Sequence, residues 1–229
     1  MTTEVAVIVG AGSGLSASLA RAAAKSGMKV ALAARQTAKL QDLARETGAK
    51  TYTCDAAVAD QVEALLGAIE ADMGVPNLVV YNAGYRTRGP IVELDPKEVE
   101  KTLMISAFGG FLTGQAAAKL MLPRGSGSIF FTGASASVKG YAQSAPFAMA
   151  KFALRGLAQS MARELQPKGI HVAHFVIDGG IASSRNVDEK ATDKWLDPDA
   201  IAQTYLDTHR QHRSAWSTEV ELRPWVENF

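Results

Sequence analysis

The chain has 229 residues, of which 47% are hydrophobic and 21% charged, and this balance excludes an intrinsically disordered protein. With 24 Lys and Arg against 23 Asp and Glu, the net charge is +1, so no excess of positive charge favours nucleic acid or anionic membranes as partners. The single cysteine, Cys54, cannot form an internal disulfide, and we expect it to be packed in the interior. No apolar run is long enough to cross a bilayer and no secretory pattern opens the sequence, which predicts a cytoplasmic protein.

Segments typical of strands and helices alternate along the chain. Runs rich in Val, Ile and Phe predict strands over Val5–Gly10, Lys29–Ala34, Lys50–Cys54, Leu78–Asn82, Ser128–Thr132, His171–Ile177 and Thr218–Leu222. Apolar residues three or four apart predict helices over Leu15–Lys25, Thr37–Thr47, Gln61–Met73, Glu98–Met121 and Phe147–Leu165. This order predicts an α/β fold, a doubly wound parallel sheet in a Rossmann-type three-layer sandwich. Because no repeat or linker interrupts it, we expect residues 1–229 to form a single dinucleotide-binding domain.

One stretch, Asp178–Pro198, departs from this alternation. It holds Gly179 and Gly180 and then a charged, polar run with a lone Trp195. Since it follows the carboxyl end of a predicted strand, where open α/β sheets bind their ligands, it is either a lid over a site or a solvated surface loop.

A glycine-rich turn directly follows the first predicted strand. Gly10, Gly12 and Gly14 come within five residues, with Ser13 between them and Leu15 opening an Ala-rich helix. Glycines let the backbone turn sharply and approach a diphosphate, whose charge is met by the free amides at the helix N-terminus. A plain tight turn is the alternative, but the position between strand one and helix one favours dinucleotide binding.

The end of the second predicted strand carries Arg35 and no acidic residue. An acid at this place holds the ribose 2′-hydroxyl of NAD, whereas a guanidinium can bind a 2′-phosphate through two hydrogen bonds. Arg35, with Lys39 one turn further on, therefore favours NADP over NAD. The alternative is that Arg35 is an ordinary solvated residue.

Several motifs in the expected order resemble the short-chain dehydrogenase/reductase family, over nearly the whole chain to about Ile201. They are the glycine turn, Asp55 after the third strand, Asn82-Ala83-Gly84 after the fourth and Lys151 in the long helix after the fifth. The resemblance implies a bound nicotinamide cofactor and a homo-oligomer, either a dimer or a tetramer. It also implies cofactor contacts, which are Asp55 and Ala56 at the adenine, Asn82, Ala83 and Gly84 lining the cleft, Lys151 at the nicotinamide ribose, and Ile181 and Ser183 at the nicotinamide carboxamide.

The sequence departs from the family at positions that carry its chemistry. The family has a Tyr four residues before the Lys, so that both lie on one helix face, and here that residue is Phe147. The substrate-orienting Ser corresponds to Ala134 and the Asn of the preceding long helix to Ser106. In the glycine turn, Ser16 stands where a third glycine is usual.

Phe147 can neither donate a proton nor hydrogen-bond to the alkoxide that hydride addition creates, and losing a positioned acid costs on the order of 10²- to 10⁴-fold in rate. Tyr141 and Ser135 are candidate substitutes, with Ser144 and Tyr85 behind them, although each is also of a kind found on surfaces and in turns. Lys151 itself can donate if burial lowers its pKa.

Two functions from different classes remain open. The first is an oxidoreductase that transfers hydride between NADP(H) and a small carbonyl, alcohol or enone substrate by an altered proton route. An apolar substrate fits this reading, because Phe147, Phe108, Met149 and Ala134 are expected around the cleft unless they are core residues. The alternative is a catalytically inactive NADP(H)-binding scaffold or sensor. An unrelated reaction on the same fold is a third possibility.

The remaining candidate residues favour simpler interpretations. His209 and His212 have a spacing that can serve a metal, but no carboxylate joins them, and we expect a solvated pair and no metal site. His171 and His174 fall on opposite faces of a strand, where we expect them to be packed.

Two further regions are candidates for contacts with other molecules. Arg86 and Arg88, after the Asn-Ala-Gly motif, either meet an acidic substrate group or lie on an exposed loop. The aromatic residues of Trp216–Phe229, Trp225 and Phe229 among them, are of a kind that seals contacts between subunits.

Overall fold

The structure of the protein is a computed structural model that describes residues 3–183 and 194–226. Its strands are β1 Val5–Val9, β2 Lys29–Ala34, β3 Lys50–Thr53, β4 Leu78–Tyr81, β5 Gly127–Thr132, β6 Ile170–Ile177 and β7 Glu219–Leu222. They pair in parallel in the order β3-β2-β1-β4-β5-β6-β7. Each strand lies within one or two residues of its predicted range.

The helices cover both faces of this sheet. They are α1 Leu15–Lys25, α2 Gln41–Thr47, α3 Ala59–Met73, α4 Pro96–Leu103, α5 Gly109–Met121, α6 Ala145–Leu165 and α7 Pro198–His209. One apolar core lies between the sheet and α3, α5 and α6, and a second between the sheet and α1, α2 and α7. The predicted doubly wound, three-layer α/β fold is therefore confirmed.

Burial on both faces of the sheet explains why the sequences of the central strands are almost entirely apolar rather than alternating between apolar and polar residues. All residues of β1, β4 and β6 are buried, because helices pack on both faces of the sheet. Cys54, directly after β3, is buried among these side chains as expected, and burial raises the pKa of its thiol to about 11. Within residues 3–183 and 194–226, no helix combines the length and the apolar character that a membrane crossing requires.

The prediction of one continuous helix over Glu98–Met121 is wrong. A π-helical segment, Met104–Phe108, separates α4 from α5. The hydroxyl of Tyr81 donates to the carbonyl of Ile105 inside this segment. The hydroxyl of Ser106 accepts from the Tyr85 amide at 2.9 Å and donates to the Tyr85 carbonyl at 3.0 Å. These contacts from outside the helix account for the local widening.

Other helix boundaries differ by less. The first turn of the predicted Thr37–Thr47 helix is a 3₁₀ turn, Thr37–Leu40, and α6 begins two residues before Phe147. Helix α7 has no counterpart among the predicted helix ranges. The carboxylate of Asp197 accepts from the Asp199 amide at 2.9 Å, and Pro198 occupies the first turn, so this helix begins with favourable capping chemistry.

The last strand is fastened to neighbouring elements by side chains. Arg155 on α6 donates two hydrogen bonds to the Glu219 carboxylate on β7, at 2.6 and 2.7 Å. The Nδ1 atom of buried His174 lies 3.5 Å from the same carboxylate. On the other face, Trp216 stacks on His171 with ring centroids 4.7 Å apart. The expectation that both strand histidines are packed is confirmed.

Candidate functional site

The candidate site lies where the parallel strands end, at the edge that open α/β sheets use for ligands. Strand β1 pairs with β2 on one side and β4 on the other, so the chain changes winding direction here. The glycine turn follows β1, and the motif Asn82-Ala83-Gly84 follows β4 beside it. The Asn82 amide donates to the Val9 carbonyl at 2.8 Å, which joins the two strand ends.

Gly10 is required by its surroundings. Its φ is +87°, a conformation that side chains disfavour. A Cβ atom added to it would lie 2.3 Å from the Ala83 amide nitrogen and 2.4 Å from the Ala83 Cα. The close approach of Gly10 and Ala83 therefore depends on the missing side chain.

The following glycines leave an open surface instead. A Cβ atom added to Gly12 or Gly14 would meet no heavy atom within 4 Å. Gly14 is the N-cap of α1, and neither a side-chain cap nor an acidic residue of the first turn occupies the amide end of that helix. Ser13 is exposed and Leu15 is buried beneath the turn. This arrangement fits a diphosphate, because free amides face an uncrowded surface.

Ser16, which stands in the place of a third glycine, connects the turn to the β4 motif. The Asn82 side-chain amide donates to the Ser16 hydroxyl at 2.7 Å, and that hydroxyl donates to the Gly10 carbonyl at 3.1 Å. Ser16 was expected only as a departure from the glycine pattern, and this bridge was not predicted.

The residues predicted to contact the adenosine lie at the ends of β2 and β3. Arg35 is exposed and makes no hydrogen bond or ion pair with any residue of the ranges 3–183 and 194–226. Asp55 forms a local turn in which its carboxylate accepts from the Ala57 amide at 3.0 Å, while its own amide donates to the Gln61 side chain. Ala56 is buried.

Lys151 on α6 is only 5% exposed, and its ammonium donates to the Thr132 carbonyl at 2.7 Å, at the carboxyl end of β5. Burial lowers the pKa of this ammonium to about 8. The Nζ atom lies 5.6 Å from the centroid of the Phe147 ring, four residues earlier on the same helix face. The Cζ atom of Arg86 lies over the same ring, 4.9 Å from its centroid.

The loop after β5 holds the serine candidates. The Ala134 amide donates to the Ser137 hydroxyl at 3.1 Å. Ser135 is half-buried, and its side chain makes no hydrogen bond with the described part of the chain. Ser144, at the N-cap of α6, is fully buried with a hydroxyl that has no hydrogen-bond partner among those residues.

The tyrosine candidates contact other groups. Tyr141 is 44% exposed, and the Lys139 ammonium lies 5.7 Å from its ring centroid. The Tyr85 hydroxyl donates to the Glu98 carboxylate, and the Lys101 Nζ atom lies over the Tyr85 ring, 4.2 Å from its centroid. No contact joins either tyrosine to Lys151 within the ranges that the structure covers.

The expected apolar lining is only partly present. Met149 is 52% exposed and lies about 200° around α6 from Lys151, so it faces away from that side chain. Phe108 is exposed and stacks on Phe111 with ring centroids 5.9 Å apart. The Phe147 ring instead has two cationic groups near it, those of Arg86 and Lys151.

The segment Asp178–Pro198 is described only at its two ends, and residues 184–193, for which a lid and a surface loop were the two alternatives, lie outside the described residues. The two ends are joined, because Ile181 bridges to Leu196 and the Leu196 amide donates to the Gly180 carbonyl at 2.8 Å. Ser183 lies just beyond this bridge. Trp195 covers Gly180, where an added Cβ would lie 2.2 Å from the indole.

The prediction of a solvated histidine pair is wrong for one member. His209 is largely buried, and its Nδ1 atom hydrogen-bonds to the Ser128 hydroxyl at 2.8 Å, whereas His212 is exposed. The position of His209 on the core-facing side of α7 accounts for the difference. At the chain end, Trp225 is exposed, and Phe229 lies outside the described residues.

Comparisons with known proteins agree with this geometry. A family model described as short chain dehydrogenase matches residues 4–194. An uncharacterized oxidoreductase of Staphylococcus aureus strain N315 is 26% identical over 230 residues, covering 98% of each chain. A D-threitol dehydrogenase of Mycolicibacterium smegmatis is 30% identical over 174 residues, which cover 74% of this chain and 67% of that protein.

Solved structures show the same fold along the whole length. A short-chain dehydrogenase from Rhodopseudomonas palustris superposes with a TM-score of 0.86 at 36% identity, covering 97% of this chain and 99% of that one. A metagenomic short-chain oxidoreductase in complex with NADP has a TM-score of 0.86 at 27% identity and 99% coverage of both chains. With the family model spanning most of the sequence and the sheet order in agreement, this chain belongs to the short-chain dehydrogenase/reductase family.

Proposed function

We propose that the protein is an oxidoreductase that transfers hydride between NADP(H) and a small carbonyl compound, its alcohol or an enone, with Lys151 as the proton donor. The observation that carries this proposal is the buried Lys151 ammonium at the carboxyl end of β5, beside a phenylalanine that has no proton to give. Family membership supports the reaction class, and the geometry supports the altered proton route.

The residues present fit a nicotinamide dinucleotide. The open face over Gly12 and Gly14 and the uncapped amide end of α1 suit the diphosphate. We assign Gly10, Ser13, Gly14 and Leu15 to that turn, and the related metagenomic oxidoreductase that binds NADP supports the assignment. The proposed contacts to the remainder of the cofactor are Asp55 and Ala56 at the adenine, Asn82, Ala83 and Gly84 along the cleft, Lys151 at the ribose, and Ile181 and Ser183 at the carboxamide.

The preference for NADP over NAD rests on Arg35. Its guanidinium is exposed at the end of β2 and has no acidic partner in the described ranges, so it is available to a 2′-phosphate. We expect Arg35→Ala to weaken NADPH binding about 10- to 100-fold, the loss that corresponds to removing charge-assisted hydrogen bonds, with NADH binding unchanged. Fluorescence titration with both nucleotides measures this.

Arg45→Ala is the matched control, because Arg45 is also an exposed arginine of this region but pairs with Asp42 on the outer side of α2. It should bind NADPH like the unmodified protein. Equal weakening of NADPH and NADH by Arg35→Ala would contradict the proposed role in distinguishing the two cofactors.

We further propose that the usual family tetrad is substituted here, with Phe147, Ala134 and Ser106 in place of Tyr, Ser and Asn. Ser106 is fully engaged by the Tyr85 backbone, as both donor and acceptor, so its role is to hold that loop. Phe147 has no dissociable proton. Of the four positions, only Lys151 offers a cationic acid that titrates near neutral pH.

When bound, a reduced nicotinamide supplies the hydride that adds to the carbonyl carbon. The C=O π electrons then move to oxygen, and the N–H bond of the Lys151 ammonium breaks to give that oxygen its proton. The neutral amine regains a proton from water. A pKa near 8 suits this role, because the ammonium is present at neutral pH and yet releases its proton readily.

Ser135 and Tyr141 are the remaining candidates for contact with the substrate oxygen. The Ser135 hydroxyl is half-buried and has no partner in the described ranges, so it can hydrogen-bond to that oxygen beside Ala134. Tyr141 is exposed, and its ring lies near the Lys139 ammonium. We therefore assign the orientation of the substrate oxygen to Ser135 and rank Tyr141 as the second candidate for that contact.

The test is NADPH oxidation, followed by absorbance, with a panel of ketones, aldehydes, quinones and enones. We expect measurable turnover of at least one class by the unmodified protein. Tight NADPH binding without oxidation of any compound would favour the inactive scaffold or sensor instead. Phe147→Tyr provides a second comparison, because activity that appears only in this variant would mean that the unmodified protein binds the cofactor without using it.

A further inference from the structure

Arg86 lies close to the proposed reaction site. It follows the Asn82-Ala83-Gly84 motif by two residues, and its Cζ atom lies over the Phe147 ring at 4.9 Å from the centroid. The Lys151 Nζ atom lies 5.6 Å from that same centroid. The guanidinium and the proposed proton donor therefore contact one aromatic ring, at the end of the cleft where a substrate oxygen would be protonated.

The charge of Arg86 is not neutralised by its surroundings. Its side chain is solvent-accessible and makes no hydrogen bond or ion pair with any residue in 3–183 or 194–226. Packing against the ring removes part of its water, which lowers the pKa of the guanidinium, and the like charge of Arg88 lowers it further. A cation with reduced hydration and no counter-ion gains free energy when an anion binds to it.

Two acidic residues after or beside the carboxyl ends of the strands, Glu98 and Asp178, already have partners. Glu98 accepts from the Tyr85 hydroxyl and pairs with Lys101. Asp178, after β6, is buried and pairs with Arg223 at 2.8 Å and with Lys139 at 3.9 Å. Neither carboxylate forms an ion pair with Arg86, so the guanidinium has no anionic partner among the described residues and is available to an anionic ligand.

We propose, on the basis of the function proposed above, that Arg86 binds a carboxylate of the substrate, which makes the substrate class a keto acid or the corresponding hydroxy acid. The planar guanidinium matches a planar carboxylate through two parallel N–H···O bonds. The aromatic face of Phe147 supports the cation from one side, an interaction that a neutral residue at position 86 would lack. The proposed substrate therefore has a carboxylate that binds to Arg86 and a carbonyl group whose oxygen receives a proton from Lys151.

The proposal is tested with monocarboxylates that carry a 2-oxo, 3-oxo or 4-oxo group, each beside its methyl ester and an uncharged ketone of the same length. We expect keto acids of one spacing to be reduced with at least a tenfold higher kcat/KM than their esters. Arg86→Gln should raise the KM for that keto acid about 10- to 100-fold, as expected for lost charge-assisted hydrogen bonds, while turnover of the ester changes little.

Arg88→Gln is the matched control, because Arg88 is an arginine of the same loop that does not contact the Phe147 ring within the described structure. It should leave the KM for the keto acid within about threefold. Arg86→Lys should restore part of the affinity, since it keeps the charge but loses the two-bond geometry. A preference for esters, uncharged ketones or phosphorylated carbonyls over keto acids would overturn the proposal.

A binding measurement separates this inference from the proposed reaction. Calorimetry on the NADP-loaded protein compares 2-methylpropanoate with 2-methylpropanamide, neither of which has a ketone to reduce. Binding of the carboxylate that exceeds binding of the amide, and that Arg86→Gln abolishes, supports the anion site even if no carbonyl compound is turned over. Equal binding of both probes, or carboxylate binding that survives Arg86→Gln, would overturn it.

Discussion

Replacing Lys151 with methionine is expected to lower the rate of carbonyl reduction by about 10²- to 10⁴-fold, the usual contribution of a positioned acid. In the unmodified protein the rate should be constant below about pH 7 and fall tenfold per pH unit above about pH 8, because the ammonium that donates the proton is lost there. The measurement is kcat against pH for a reducible substrate, with NADPH saturating.

Two further variants make this prediction specific. Lys151→Arg keeps the charge but holds its proton far above neutral pH, so it should bind NADPH and still lack the fall near pH 8. Lys139→Met removes an exposed ammonium that lies against Tyr141 and should change kcat little. A Lys151→Met protein whose kcat stays within a few-fold of the original would falsify the assignment of the proton donor.

The folded state offers an independent check on the same residue. Below about pH 8, Lys151 is protonated in both the folded and the unfolded chain. Between about pH 8 and its ordinary pKa of 10.5, the unfolded chain binds more protons, so the contribution of this group to the free energy of unfolding rises with pH. Denaturation at pH 7 and pH 9.5 should show that the unmodified protein gains free energy of unfolding relative to Lys151→Met as the pH rises, because all other titrating groups are common to both.

Gly10→Ala is expected to disrupt both the fold around the turn and cofactor binding. The new Cβ would lie 2.3 Å from the Ala83 nitrogen, and the φ of +87° is strained for alanine. Since backbone atoms cannot yield as a flexible side chain can, we expect a loss of about 2 kcal/mol or more in the free energy of unfolding. NADPH affinity should fall with it, as measured by denaturation and by nucleotide titration.

Gly12→Ala is the control that separates these two effects. Its added Cβ meets no heavy atom within 4 Å, so the free energy of unfolding should change little. The methyl group nevertheless enters the surface that the diphosphate would use, and we expect NADPH affinity to fall. If Gly12→Ala bound NADPH normally, the proposed position of the diphosphate would be wrong.

The strands of the sheet could be predicted closely, because burial on both faces requires consecutive apolar residues, and these are visible in the sequence. Strands such as β1 and β4 are covered by helices on both faces, so their apolar runs are uninterrupted and bounded by glycine or polar residues. The π-helical segment could not be predicted, because the groups that stabilise it, the Tyr81 hydroxyl and the Tyr85 backbone, belong to another part of the chain. The spacing of apolar residues in a helix indicates only which face is buried, and it does not reveal a local change in the helical hydrogen bonding.

The candidate site was predicted unevenly for a similar reason. Gly10, Asn82 and Lys151 sit at strand ends or on a helix face, where spacing along the sequence defines their position. The place of Arg86 over Phe147 depends on the path of a loop, and the only signal was a basic residue soon after Asn82-Ala83-Gly84. The Ser16 bridge was missed because the sequence marks it only as an absent glycine.

The fastening of the last strand has a consequence for how this chain tolerates variation. Glu219 serves both Arg155, one helical turn beyond Lys151, and the buried ring of His174. A substitution of Glu219 therefore removes the partner of Arg155 on α6 and of His174 on β6 at the same time. Position 219 should consequently accept far fewer residue types than its place on an outer strand suggests, and a change at Arg155 would relax that restriction.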